Sequence, residues 1–412
     1  MEGDRRHVLV LAYYFPPVGG AGVQRTLKFI KYLSELGWDA TVVSTRSRAY
    51  EARDPSLLAE VPSSTKVVRT AALPLARHLA GILYRLRLTG LRQFALWPDG
   101  GLGWMPFAFA AALQAARRTR PDVLYSTSSP YGSHLVALLV ARLTGVPWVA
   151  DFRDEWSANR YLAGQPRPLS ALSERAERAI TTSATRVLVA AEYFELEGLP
   201  PGDPRRTVIV NGVDEADFAE LSATSRQNRF VLAHVGSIYD IRDPTPALRA
   251  VKNLVLRGAV ERDRLEVRLV GNVWIPGFAS PSGLSVATTG YVSHAQAIRE
   301  MSDATALLLY VAPGDLSPSG KLFEYLASGR PVLCLAPAEN LARRLVEEWG
   351  AGAAADPEDV EGIESAFLAL WQRWEDNGLP RQDVVRARVF ERYSRRAGAA
   401  QLARVLDEAR RG

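Results

Sequence analysis

A charge-free apolar run of strand length, a glycine loop and an amphipathic helix open the chain, and the alternation of strand and helix then recurs to its far end. HVLVLAYYF has the first pattern, PPVGGAGV breaks it, and QRTLKFIKYLSELG has apolar residues at helical spacing. The runs DATVVST, PDVLYSTS and PWVADFRD read as further strands, with helical patterns such as Ser133 to Thr144 between them. Strands that are apolar on both sides must be covered on both faces, and when they alternate with helices the sheet is parallel. The fold class is therefore α/β, built on doubly wound, Rossmann-like sheets.

The same alternation restarts in the second half with TVIVNG and RFVLAHVGS and continues to GKLFEYLASG and PVLCLA. A chain of 412 residues is long enough for two domains with separate cores and a cleft between them. The turn-rich LEGLPPGDPRRT marks the expected linker. Residues 1–203 then form an N-terminal Rossmann-like domain and 204–381 a C-terminal one. The helical stretch 382–412 is expected to return to the first.

Composition excludes several function classes. One cysteine, Cys334 in the apolar PVLCLA, leaves no internal disulfide and no zinc site of clustered thiolates, which points to a reducing compartment, with Cys334 as a core residue. No stretch reaches about 18 uninterrupted apolar residues, so no membrane span is expected, and the opening apolar run is too short for a signal peptide. A cytoplasmic location is expected. The net charge of +5 fits anionic substrates, an anionic membrane surface or nucleic acid equally, but the basic residues are dispersed and no nucleic-acid module is present. Leu75 to Trp104 interleaves leucines and aromatics with Arg77, Arg85, Arg87 and Arg92. Two readings stand: a helical excursion packed on its own domain, or peripheral contact with an anionic membrane.

Two glycine loops can hold chemistry. Gly19, Gly20 and Gly22 lie between a strand and a helix, where backbone N–H groups suit an anion, although Arg25 occupies the place of the third glycine in G-x-G-x-x-G. Packing alone also accounts for such a loop. GDLSPSGKL resembles a Walker loop but has Asp315 and Leu322 where glycine and a hydroxyl are required, so it supplies no Mg²⁺ ligand. There remain Gly320 and Lys321 opening a helix that carries Glu324 one turn later. The cation suits phosphates and the carboxylate suits the vicinal hydroxyls of a ribose, together a nucleoside diphosphate. The competing reading is an intrahelical ion pair.

The run SPSGKLFEYLASGRPVL resembles the donor-binding helix of family 4 retaining glycosyltransferases. YYFPPVGGAGVQR, STSSPYGSH, ADFRDEW, VNGVD, HVGSIYDIRDP and GYVSHAQAI resemble, in order, further motifs of that family, of its bacterial polysaccharide and natural-product branches. The resemblance implies a GT-B fold, two doubly wound domains facing a central cleft, and transfer of a sugar from a UDP- or GDP-linked donor to a hydroxyl acceptor on a glycan, a lipid or a natural product. It implies no metal and no cofactor. Glu324 would bind the ribose, with Lys321 and Arg242 neutralising the diphosphate. Gly236, Ser237, Ser319, Gly320, Leu322 and, from the first glycine loop, Gly20 would line the donor pocket.

His134 would reach the donor sugar, a role that competes with that of a core histidine. Gly19, Asp151, Arg153 and Asp154 would face the acceptor side of the cleft, and a structural Arg–Asp network is the competing account of the last three. The sequence departs from the family pattern at Leu316, where many members have a glutamate, so the donor-sugar contact would fall to Asp315 or to N–H groups of Ser317 to Gly320. A nucleotide-sugar epimerase, a pseudo-glycosyltransferase on the same fold and a non-catalytic nucleotide-sugar-binding partner remain as alternatives. Asp214 to Asp217 spell DEAD without a Walker loop, and neither a D-x-D context nor a histidine cluster offers a metal site.

Overall fold

Strand-length apolar runs become parallel strands throughout the computed structural model. It describes residues 6–46, 53–73, 75–99, 101–159, 165–219, 228–239, 243–275, 277–279, 281, 283–312 and 320–411. The chain divides into two compact units, one made of residues 1–211 with 395–412 and the other of 212–394.

The first unit runs β1 (Arg6–Leu11), α1 (Ala21–Glu35), β2 (Trp38–Thr45), β3 (Lys66–Thr70), α2 (Leu75–Arg85), α3 (Thr89–Leu96), α4 (Met105–Thr119), β4 (Val123–Thr127), α5 (Gly132–Thr144), β5 (Trp148–Phe152), α6 (Arg167–Ser183), β6 (Arg186–Val189) and β7 (Arg206–Val208). The strands form one parallel sheet in the order β3-β2-β1-β4-β5-β6-β7. Winding leaves β1 in one direction and restarts at β4 in the other, so a crevice opens at the C-terminal ends of these two strands. Side-chain alternation sets the layers: Leu9 and Leu11 pack with Ala108 and Ala112 of α4 and Val136 and Val140 of α5. Val8 and Val10 pack on the opposite face with Phe29 and Ile30 of α1.

The second unit runs β8 (Phe230–Val235), β9 (Ile238–Tyr239), α7 (Thr245–Leu256), β10 (Leu265–Val270), β11 (Val273–Trp274), β12 (Val286–Thr288), α8 (His294–Asp303), β13 (Ala306–Tyr310), α9 (Gly320–Ser328), β14 (Val332–Leu335), α10 (Leu341–Glu348), β15 (Gly352–Ala355), α11 (Val360–Asn377) and α12 (Asp383–Tyr393). Its main sheet has the order β12-β10-β8-β13-β14-β15, and β9 pairs with β11 in a small parallel ribbon beside it. Ala233 and Val235 face α8, α9 and α10, while Leu232 and Leu308 face α7 and α11. Side-chain caps start three of the helices: Ser293 accepts from Gln296 N, Asn340 from Ala342 N and Asp359 from Gly362 N. Cys334 is buried in β14, and burial pushes its thiol up to about 12.

The division between units differs from the one expected at 203/204. LEGLPPGDPRRT is a turn inside the first unit, because Arg206–Val208 continues as the seventh strand of that sheet. Turn-rich composition marks a surface connection and is the same within a domain as between two. The expected C-terminal segment is also split. Arg386 Nε of α12 donates to Ala327 O of α9 at 2.9 Å, keeping α12 in the second unit. The final helix α13 (Arg395–Arg411) lies on α1 of the first, with Leu402 and Leu406 in its core. Among the described residues no helix is long and apolar enough to cross a membrane. The helices α2 and α3 pack chiefly on each other and leave Leu79, Ile82, Leu91 and Phe94 exposed.

Candidate active site

The second unit builds a cationic cradle where β8 ends, at the switch point between β8 and β13. Lys321, in the first turn of α9, turns its ammonium toward this end, 3.1 Å from His234 Nε2 and 3.3 Å from the Ser237 carbonyl oxygen. His234 is buried in β8, and its Nδ1 lies 2.9 Å from the Leu308 carbonyl oxygen. A carbonyl only accepts, so Nδ1 carries the ring proton and Nε2 accepts from the lysine. Chemistry on both sides thus fixes the tautomer.

Glycine makes this approach possible. Gly236 has φ +133°, and a Cβ there would stand 2.1 Å from Lys321 Cε and 2.3 Å from its Nζ. Gly271, at the end of β10 with φ +125°, lies under it: its Cβ would come within 2.7 Å of the Gly236 backbone. Tyr325 then locks α9 to β8, its hydroxyl accepting from Val235 N at 2.7 Å and donating to Val235 O at 3.1 Å. Burial holds the Tyr325 phenol well above its usual range, so it stays neutral.

Glu324 stands half-buried on α9. Among the described residues no hydrogen bond or ion pair occupies its carboxylate, so the intrahelical pair with Lys321 does not form. The structure therefore brings Lys321 to Gly236 and Ser237, while on the same helix Gly320 is exposed at the start, Leu322 is buried in the core and Glu324 follows one turn after Lys321. Arg242 and Ser319 lie outside the described residues, as do Asp315, Leu316 and Ser317. His234 and Gly271 were missed by sequence reasoning: a histidine within a strand pattern carries no signal of its own, and only the fold places it against a lysine 87 positions later.

In the first unit the motif residues form a buried network. Asp151, fully buried at the end of β5, receives Arg25 Nε at 3.0 Å and Nη2 at 2.8 Å, the Tyr125 hydroxyl at 2.6 Å and the Thr127 hydroxyl at 3.1 Å. Burial alone would raise the Asp151 pKa; the Arg25 guanidinium outweighs it and takes it below the usual carboxylate range. Arg25, the residue that breaks the dinucleotide fingerprint, is thus one half of an interior ion pair. Arg153 donates to the carbonyl oxygens of Gly22, Ser128 and Ser129, joining the glycine loop to the loop after β4. Asp154 receives the Ser129 hydroxyl at 3.4 Å. Asp151 and Arg153 are engaged in holding the crevice, as the Arg–Asp network reading anticipates. Gly19 is buried, and Gly20, exposed with φ +94°, caps α1.

His134 lies at the start of α5 with no exposed surface, 4.5 Å from Phe152 ring to ring. Ser126 Oγ accepts from Trp148 Nε1 at 2.8 Å and lies 2.7 Å from His134 Nδ1. Burial lowers the His134 pKa to about 3, so the ring is neutral. The strand β5 and its aromatics Trp148 and Phe152 lie against the ring. Asp214 caps the turn Glu215–Phe218, and Asp217 pairs with His294 at 3.0 Å, so both named acids of the DEAD tetrapeptide have local partners.

Residues 19–212 match the family model of the glycosyl transferase 4-like domain. No curated protein matches the chain. Among solved structures, HepE of Anabaena in complex with UDP and glucose is similar at 15% identity and a TM-score of 0.63, covering 98% of this chain and 100% of its own. An α,α-trehalose-phosphate synthase (UDP-forming) of Burkholderia xenovorans is similar at 12% identity and a TM-score of 0.65, covering 97% and 100%. The glycotransferase of kitacinnamycin is similar at 16% identity and a TM-score of 0.57, covering 98% and 100%. Residues 19–212 are thus a glycosyl transferase 4-like domain, and the chain has the GT-B fold of these structures over almost its whole length.

Proposed function

We propose that the protein is a retaining glycosyltransferase that takes a sugar from a nucleoside-diphosphate donor, UDP-linked, and passes it to a hydroxyl acceptor without a metal ion. The observation that carries this reading is the cradle of His234, Gly236, Ser237 and Lys321 at the end of β8, beside an unoccupied Glu324 carboxylate. A fixed ammonium is suited to the charge that grows on a departing diphosphate, and the carboxylate is suited to two vicinal ribose hydroxyls. Arg242 is assigned the second cation on the strength of the motif resemblance. UDP is favoured over GDP because HepE is known with UDP and with UDP-glucose.

In the reaction proposed, the bond from the anomeric carbon to the diphosphate oxygen breaks while the acceptor oxygen bonds to that carbon on the same face. The acceptor proton passes to the leaving phosphate, so no protein base is required. Lys321 stabilises the leaving group and Glu324 holds the ribose. The acceptor-side crevice of the first unit is shaped by Arg25, Asp151 and Arg153 through the loops they join, with Asp154 and Gly19 assigned to the acceptor side.

Lys321→Ala is expected to lower kcat by about 100- to 1,000-fold, the usual loss for a charge-stabilising donor, with an unchanged melting temperature in the absence of ligand. UDP is expected to raise the melting temperature of the wild-type protein and to do so far less in Glu324→Ala. Turnover unaffected by Lys321→Ala would refute the assignment, and an inverted anomeric centre in the product, read by NMR, would refute retention.

A further inference from the structure

We propose that the helical hairpin of α2 and α3 is a docking surface for an anionic lipid bilayer. Leu79, Ile82, Tyr84, Leu86, Leu91 and Phe94 are between 41% and 63% exposed, which is far more apolar surface than two short helices of a folded unit ordinarily show to water. Leu79 and Ile82 stand one turn apart on α2, and Leu86 follows at the next turn of the same stripe, so the apolar side chains are presented as a face.

Charge selects the occupant. Between Glu60 and Asp99 the sequence contains no acidic residue, while Lys66, Arg69, Arg77, Arg85, Arg87 and Arg92 fall within it. Arg85, the last residue of α2, and Arg87, in the turn that joins the two helices, are exposed beside Tyr84 and Leu86. Apolar side chains interleaved with arginines suit the boundary between headgroups and acyl chains, where the alkyl and aromatic groups enter the hydrocarbon and the guanidinium groups meet lipid phosphates. A second copy of the hairpin would bring like charges together, and the six apolar side chains named above remain exposed where Ala80 and Trp97 pack inward. The surface lies in the first unit, while the donor cradle belongs to the second, and the proposal stands whether or not the donor assignment does.

Co-sedimentation of the full chain with vesicles tests this. Vesicles of phosphatidylglycerol and phosphatidylcholine are expected to carry the protein down, vesicles of phosphatidylcholine alone are not, and binding should weaken as salt rises. Two variants, Leu79→Ser with Ile82→Ser and Arg85→Glu with Arg87→Gln, are each expected to reduce the vesicle-bound fraction by about tenfold or more while the melting temperature stays at the wild-type value. The proposal is overturned if the wild type fails to bind the anionic vesicles or if both variants bind them as well as the wild type. It is also overturned if the wild type forms dimers without lipid that the Leu79/Ile82 variant does not, which would assign the hairpin to a second copy.

Discussion

Gly236 and Lys321 compete for one volume, and the absence of a side chain at the first gives the second its position. Gly236→Ala adds a methyl group 2.1 Å from Lys321 Cε at a φ of +133°. The lysine can swing away, so the fold should survive while the ammonium leaves its place. A displacement of this size is expected to lower kcat/KM by about 100-fold with little change in far-UV circular dichroism, and a variant with wild-type turnover would show that the lysine position does not matter. Lys321 and Glu324 were legible in the sequence because a failed Walker loop and a helix start surround them. His234 was not, since its meaning depends on the Leu308 carbonyl and on a lysine far along the chain. Asp151 shows the opposite limit. Its strand-end position suggested substrate contact, and only the structure reveals that Arg25, 126 residues earlier, occupies both carboxylate oxygens.

At the scale of elements, the strands were readable because parallel strands buried on both faces leave continuous apolar runs. Their ends were harder: β7 has three residues, begins within the supposed linker and overlaps TVIVNG, which reads as the opening strand of the second half although its pairing with β6 makes it the last strand of the first sheet. Likewise α12 and α13 form one helical pattern in sequence, interrupted only at Ser394, yet belong to different units. The helix α6 carries a titration that no pattern announces. Glu177 is fully buried there, accepts from Ser157 N at 3.2 Å and from the Ser157 hydroxyl, and burial raises its pKa from 4.5 to about 7. The folded protein therefore keeps a proton that the unfolded chain releases near pH 4.5, so stability falls as pH rises from there to about 7. Urea unfolding across that range should lose up to about 3 kcal/mol from this group, and Glu177→Gln should flatten the slope; an unchanged slope would exclude Glu177 as its source.

For the whole molecule, the polypeptide passes between its units twice, after residue 211 and after residue 394, and the first unit is assembled from both ends. Leu402, Val405 and Leu406 of α13 are buried with Phe29 and Ile30 of α1. Each large apolar side chain contributes roughly 1.5–3 kcal/mol by burial, a sum comparable to the net stability of about 5–15 kcal/mol typical of a domain. Removing residues 395–412 is therefore expected to abolish the cooperative melting of the first unit while the second, continuous from 212 to 394, retains its own transition. Calorimetry would resolve the two, and persistence of both would show that α13 is dispensable. The same connectivity reverses the usual order of birth. On the ribosome the first-made unit reaches residue 211 and must then wait for the remaining 201 residues, about 10–40 s at ordinary elongation rates, before its last helix arrives. Over that interval the apolar groove on α1 is uncovered, and the unit made second has every residue it needs to finish folding first.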